Sequence, residues 1–359
     1  MNQPTHNTFQ TYNRNIIVIG ASAGGIEAIL KLTSDLPADI PAAIFIAHHL
    51  PAHTESNLFH MINRHSAVPA VQAQDGVTFE MGKIYCVRRD KHMLLEDGKI
   101  MLSKGPRENR FRPSIDVLFR SAAYECRDRV IGVILSGALN DGTAGMCNIK
   151  RFGGLCVIQN PKDAAYDSMP IEVSKYTDVD YTMNADELGD LLGKLTLEQV
   201  KKPVERMPHY EELIELEVKI AKNDNALVAG VFERGIHTPL TCPDCHGAVI
   251  QYRDGNLIRF RCHTGHSFTP DALLYGITEN VEKDLWQVMR GMEENNFVLR
   301  TLGNRLKEVG QVNEANKFFD KAEVIIHKSR KIHQLLEEVK ILSKDSVLTF
   351  LFLGFELFF

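Results

Sequence analysis

A serine, a pair of histidines and an aspartate each follow an apolar run in the first half of this chain. Ser22 lies in Gly20-Ala21-Ser22-Ala23-Gly24, directly after Ile16-Ile17-Val18-Ile19. His48 and His49 follow Ala43-Ile44-Phe45-Ile46-Ala47, and Asn140-Asp141-Gly142-Thr143 comes shortly after Val130-Ile131-Gly132-Val133-Ile134-Leu135. A glycine-x-serine-x-glycine turn between a strand and a helix presents a hydroxyl at the strand's carboxyl end. Such a hydroxyl attacks an acyl carbon when an imidazole takes its proton and a carboxylate orients the imidazole. By spacing alone, His48 and His49 serve equally well. A rival use of the turn, cradling a dinucleotide pyrophosphate, needs glycine at the third position and an acid closing the second strand. Ser22 and His48 stand there instead, so a nucleotide-dependent oxidoreductase is disfavoured. Each residue alone also has a plainer reading: a small turn residue, a hydrogen-bonded histidine, a common Asn-Asp-Gly turn. Their shared placement sets them apart. The order serine, histidine, aspartate differs from that of α/β-hydrolases, which disfavours that fold.

A second set lies further along. Cys242-Pro243-Asp244-Cys245 and Cys262-His263-Thr264-Gly265-His266 flank a hairpin made by Val249 to Tyr252, an Asp254-Gly255 turn and Leu257 to Phe260. This is the spacing of a tetrahedral structural zinc site, with Cys242, Cys245, Cys262 and His266 as the expected ligands. His263 and His246 compete for the fourth place. Four protein ligands leave no open position for substrate, so the metal is expected to fold its own module. Its removal should then spare catalysis elsewhere.

The elements that must hold these groups follow from periodicity. Residues 15–195 alternate short β-branched runs with helical patterns, which predicts an α/β domain with a doubly wound, mostly parallel sheet. Within it, Ile84 to Val87 and His92 to Leu95 read as a hairpin, with a later turn at Asp97-Gly98. Residues 114–123 read as a helix capped by Ser114 after Pro113. Residues 196–235 form a charged linker with one helix over 211–220, and residues 236–270 form the zinc-ribbon-like β module. Across 271–345 a helical hairpin or coiled coil is expected. Leu274, Val281, Val288, Asn295, Leu302 and Val309 recur every seven residues, with Thr278, Leu285, Met292, Leu299 and Leu306 as the second seam. A second helix follows Gly310. Self-association or partner docking through these helices is as compatible with the pattern as a hairpin closed on itself. Residues 1–14 read as disordered. The apolar tail, 346–359, is too short to span a bilayer and carries no assigned function.

Composition sets the class. Of 359 residues, 44% are hydrophobic and 24% charged, as in soluble globular proteins. A net charge of -5 argues against nucleic-acid binding by phosphate neutralisation. Seven cysteines, four scattered in apolar runs, and no signal-peptide pattern point to a reduced, cytoplasmic setting.

From Ile16 to about Leu195 the chain resembles the catalytic domain of the CheB-type chemotaxis protein-glutamate methylesterases. The resemblance rests on Ile19 to Gly25, His48-His49-Leu50-Pro51, Asp90-Lys91-His92-Met93, Arg112 to Phe119 and Asn140 to Met146. It implies Ser22 as nucleophile, His49 rather than His48 as base, and Asp141 as the orienting acid. No cofactor is implied for catalysis. The implied reaction is hydrolysis of glutamate γ-methyl esters on the cytoplasmic helical bundle of methyl-accepting chemoreceptors, with deamidation of receptor glutamines as a side activity. Backbone amides of the Gly24-Gly25 turn and the helix after it are the expected oxyanion donors. The family commonly carries glycine-methionine-glycine where this chain has Gly137-Ala138-Leu139, and alanine-proline where it has Val87-Arg88. Only fourteen residues precede the first strand, so the resemblance implies a stand-alone form without a receiver domain. The alternative is a non-catalytic scaffold that keeps the esterase fold for docking.

Overall fold

The computed structural model describes residues 13–49, 57–200, 208–222, 227 and 230–349. Residues 1–12 of the expected disordered terminus, 350–359 of the apolar tail, and Leu50-Pro51 lie outside this set. The chain divides after Ala272 into two units.

In the first unit, β1 (Ile16–Ala21), α1 (Gly25–Ser34), β2 (Ala43–His48), α2 (Leu58–Ile62), β3 (Ala70–Gln72) and β4 (Lys83–Cys86) build one half of a sheet. After a separate hairpin of β5 (His92–Glu96) and β6 (Lys99–Ser103) comes α3 (Ile115–Cys126). The other half then follows: β7 (Val130–Ile134), α4 (Thr143–Arg151), β8 (Leu155–Gln159), α5 (Ser168–Tyr176), β9 (Tyr181–Met183) and α6 (Leu188–Leu195). The strand order is β3-β4-β2-β1-β7-β8-β9, and every pairing is parallel. β1, β2 and β7 are buried along their whole length, which is why their sequences are apolar on both faces. One layer of side chains, including Ile17, Ile29, Leu32, Ile44 and Leu188, fills the space under α1 and α6. The opposite layer, including Val18, Phe45, Leu118, Phe119 and Met146, packs under α3 and α4. Connections run outward in both directions from β1, so the carboxyl ends of β1, β2 and β7 meet at the switch point where α/β proteins bind ligands.

The structure corrects one local expectation. Ile84 to Val87 does not pair with His92 to Leu95. β4 instead joins the parallel sheet between β3 and β2, and β5 pairs with β6 around Asp97-Gly98. Both turn residues have positive φ (48° and 69°), as a two-residue hairpin turn requires.

The linker helix is α7 (Pro208–Ala221). The module that follows is a four-stranded sheet of β10 (Ile236–Thr241), β11 (Ala248–Asp254), β12 (Leu257–Cys262) and β13 (Ser267–Phe268). It was expected as an independent body, yet it belongs to the same unit as the parallel sheet. A buried ionic cluster explains this. Arg120 of α3 forks onto Glu108 (3.0 and 2.6 Å) and also reaches Glu217 of α7 (2.9 Å). Arg259 of β12 pairs with Asp116 (2.9 Å), and Arg261 pairs with Glu217. These groups are all buried, and opposite charges pair throughout the cluster.

The second unit contains the rest of α8 (Pro270–Glu308), which begins in the first unit, and α9 (Val312–Thr349), separated at Gly310. Of the two heptad seams, the second (Thr278, Leu285, Met292, Leu299 and Leu306) is half-buried and the first is exposed. Leu274, Val281, Val288, Leu302 and Val309 are exposed, whereas the hairpin buries Met289, Ala315, Ala322 and Leu336. Gly303 decides the contact face: a Cβ there would lie 2.7 Å from the Phe319 ring, so only glycine admits that aromatic.

Candidate active site

The three strand ends bring Ser22, His49 and Asp141 into one hydrogen-bonded row. His49 Nδ1 lies 3.0 Å from Ser22 Oγ, and His49 Nε2 lies 2.7 Å from Asp141 Oδ2. Asp141 and His49 are buried while Ser22 is half-exposed, so the row runs from the interior to an open hydroxyl. The Phe111 ring stacks on His49 (centroids 3.6 Å apart, planes 9° apart) and fixes the plane of the imidazole.

The turn that lifts Ser22 is set by glycine. Gly24 has φ +70°, and a Cβ on it would lie 2.7 Å from Ala165 Cβ and 2.9 Å from Ser136 Oγ. Ser22 N–H donates to the Ser136 carbonyl (2.9 Å) at the end of β7, tying the turn to the neighbouring strand. His48 completes the support from the other side, because its Nε2 lies 3.1 Å from the Ser22 carbonyl oxygen. A carbonyl can only accept, so Nε2 carries the proton. Burial, then the nearby His49, lowers the His48 pKa to about 4, leaving the ring neutral. Adjacent histidines thus divide the work, one on the backbone of Ser22 and the other on its hydroxyl. Of the expected oxyanion donors, Gly25 N–H is taken by the Ser22 carbonyl (2.9 Å). The N–H groups of Ala23 and Gly24 meet no acceptor among the described residues.

Asp141 is held by far more than His49. Its carboxylate accepts hydrogen bonds from Asn109 Nδ2 (2.9 Å), Ser114 Oγ (2.9 Å), Ile115 N–H (2.7 Å) and Asp116 N–H (3.3 Å). Ser114 stands at the amino terminus of α3 as expected, but its side chain does not cap that helix. Asp141 does so instead, and the helix dipole favours its negative charge. Burial alone would raise the Asp141 pKa; the hydrogen bonds from His49, Ile115 and Asn109 outweigh it and leave the pKa lowered. An ionised Asp141 only accepts, so His49 carries its proton on Nε2. Nδ1 therefore offers a free lone pair to the Ser22 hydroxyl.

Asp116 returns the favour to α4. Its Oδ1 accepts from Gly142 N–H (3.0 Å) and Gly145 N–H (2.8 Å), and its Oδ2 from Asn109 Nδ2 and Arg259 (both 2.9 Å). Sequence reasoning assigned no role to Asn109, Phe111 or Asp116, although Asp116 lies in the quoted Arg112 to Phe119 motif. His92, in another such motif, is structural. It bridges the Pro106 carbonyl (2.9 Å) and Ser114 N–H (3.2 Å), and burial lowers its pKa to about 4.

Cys242, Cys245, Cys262 and His266 also converge, their ligand atoms all within 4.8 Å of one another. Their rivals His263 and His246 are not part of this cluster.

A family model described as CheB methylesterase matches residues 17–192. A relative from Leptospira interrogans, provisionally named protein-glutamate methylesterase/protein-glutamine glutaminase, is 36% identical over 184 residues, covering 51% of this chain and 95% of its own length. A protein-glutamate methylesterase/protein-glutamine glutaminase from Methanosarcina mazei is 34% identical over 194 residues. That match covers 52% of this chain and 53% of the relative, so the chain spans about half of that protein. The crystal structure of the Thermotoga maritima CheB methylesterase catalytic domain overlays with a TM-score of 0.49 and 28% identity, covering 50% of this chain and 98% of the other.

Proposed function

Because this chain belongs to the CheB methylesterase family of carboxylic-ester hydrolases, we propose that it removes methyl groups from glutamate γ-methyl esters on chemoreceptors. In this reading Ser22 is the nucleophile, His49 the base and Asp141 the acid that orients it. The observation that carries the reading is the unbroken row of hydrogen bonds from Asp141 through His49 to Ser22.

The chemistry follows from that row. Ser22 Oγ attacks the γ-carbonyl carbon as its proton passes to His49 Nδ1. The resulting imidazolium is stabilised by Asp141, whose charge is already fixed by the amino terminus of α3. The tetrahedral oxyanion is stabilised by the Ala23 and Gly24 N–H groups, the donors left open at the turn. Collapse breaks the bond to methoxide, which takes the proton from His49 and leaves as methanol. Water then attacks the acyl-serine and gives a proton to His49, which passes it to Ser22 Oγ as the acyl–oxygen bond breaks and the glutamate leaves as its carboxylate and a proton. With a glutamine side chain the same sequence releases ammonia, which is the deamidase activity. No metal is used in these steps. Chemoreceptor helices as substrate and a cytoplasmic setting rest on the family's role and on the reduced cysteines. No helix among the described residues is long and apolar enough to cross a membrane.

The decisive experiment incubates the full chain with methyl-labelled receptor membranes and measures volatile methanol. Release by the wild-type protein and none by Ser22→Ala is the expected result. Equal release by both overturns the assignment of Ser22.

A further inference from the structure

The four ligand candidates of the β10–β13 sheet are arranged for a metal. Cys245 Sγ lies 3.7 Å from Cys262 Sγ, and His266 Nδ1 lies 3.7 Å from Cys242 Sγ and 3.6 Å from Cys262 Sγ. Zinc–sulfur bonds of about 2.3 Å and zinc–nitrogen bonds of about 2.0 Å at tetrahedral angles put ligand atoms about 3.6 to 3.8 Å apart. The set therefore fits zinc with little rearrangement. The Thr264 hydroxyl lies 3.1 Å from Cys245 Sγ and 3.0 Å from Cys262 Sγ, where it can donate to a thiolate.

Chain segments leave this cluster directly for the candidate active site. β12 ends at Cys262 and carries Arg259, which reaches Asp116. β13 starts immediately after His266. Its Ser267 carbonyl accepts from Asn109 N–H (2.7 Å), and its Ser267 hydroxyl accepts from Arg259 (3.0 Å). Just past β13, Thr269 donates its N–H to Asn109 Oδ1 (3.0 Å), and its hydroxyl donates to Asn140 Oδ1 (2.7 Å). With Oδ1 so engaged, Asn109 must turn Nδ2 toward the carboxylates, where it bridges Asp116 and Asp141. Asn109 itself has φ 50°, a conformation asparagine tolerates but that needs support from its surroundings. Burial pushes the Asp116 carboxyl up, and the Arg259 guanidinium opposes that rise.

We propose that Cys242, Cys245, Cys262 and His266 bind a structural zinc ion, and that the sheet it closes positions Asp141 through Arg259, Ser267, Thr269 and Asn109. The metal touches no substrate. It clamps the strand ends that hold Asn109 and Asp116, and these hold the acid that orients His49. Arg259 and Asn109 are positioning residues. The inference rests on the esterase reading for its kinetic consequence but not for the metal or for the clamp.

The test uses the full-length protein. Elemental analysis of the purified chain is expected to give one zinc ion, and cobalt exchange to give the absorption of a tetrahedral thiolate site. Removing zinc with a chelator is expected to lower kcat for methanol release at least tenfold with little change in KM. It should also abolish the downfield proton resonance of His49 Nε2–H, and zinc should restore both. Arg259→Met is expected to keep its zinc yet weaken the same resonance and lower kcat, with partial rescue by Arg259→Lys. A protein that binds no zinc overturns the site. A zinc-free protein, or a zinc-loaded Arg259→Met protein, with the His49 resonance unchanged overturns the coupling. Where chelation unfolds the whole chain, the zinc-loaded Arg259→Met variant decides. An inactive wild type with an intact, zinc-sensitive His49 resonance refutes the esterase reading and leaves this inference standing.

Discussion

Asp141 and Asp116 occupy mirror-image sites with different outcomes. Each is fully buried, and each caps the helix that follows the other's turn. They even share the two hydrogens of Asn109 Nδ2. What differs is the counter-group. Asp116 meets Arg259, a permanent cation, whereas Asp141 meets His49, a ring that can gain and lose a charge. The same capping chemistry thus yields a fixed structural ion pair on one side. On the other it yields an acid that can answer a proton arriving at its partner.

The comparison breaks most visibly at the hydroxyl. Ser22→Ala should lower methanol release by about a thousandfold to a millionfold, the range for removing a nucleophile from such a set, with unfolding unchanged. His49→Ala should match it, while His48→Ala, which loses only a hold on the Ser22 backbone, should cost a smaller factor. If the two histidines rank the other way, the base has been misassigned. Asp141→Asn should cut the rate by about ten-thousandfold, because an amide can hold His49 in the wrong tautomer. Asp116→Asn should leave more of the rate but cost about 3–5 kcal/mol in stability, since it removes one of the two carboxylates that pair with the buried Arg259 guanidinium. Equal rate losses for the two would erase the distinction between them.

Acid should act through the neutral histidines. His48 and His92 both have folded-state pKa values lowered to about 4, against about 6.5 in an unfolded chain. The unfolded state binds the extra protons, so stability is full above about pH 6.5 and falls as pH drops toward 4, by on the order of 3 kcal/mol per histidine. Denaturant titrations at pH 7 and pH 5 read this directly. His92→Gln should flatten the difference, and an unchanged slope would mean that His92 is not buried neutral.

The smallest effect is expected at Leu139, which has φ 66° where the family commonly has glycine. Leu139→Gly should relieve that strain and raise stability by about 1 kcal/mol, read from the denaturation midpoint.

Much of this was legible in the chain. Ser22, the His48-His49 pair and Asp141 stand out because each follows an apolar run, and parallel strands put such ends on one edge; the choice of His49 came from the family resemblance. The cysteine spacings gave the ligand cluster in the same way. Arg259 could not be read, since its bond to Asp116 spans 143 residues and no local pattern marks a buried guanidinium. Asn109 lay hidden in an irregular loop. The Ile84 to Val87 misreading arose because a short apolar run does not say which neighbour it will pair with. The heptads of α8 marked an apolar stripe of which the second seam is half-buried, while the close approach of the Phe319 ring to Gly303 carried no heptad signal.

Mutual capping also dictates when the hydrolase becomes competent during synthesis. The first N–H groups of α3 find their acceptor on Asp141, 26 residues later, and those of α4 find theirs on Asp116, behind them in the chain. Neither helix end is complete until both have docked. On the proposed assignment, a chain in which the helices have not docked would leave Asp141 unheld and His49 unoriented. Full esterase activity is then expected only once both helices have docked.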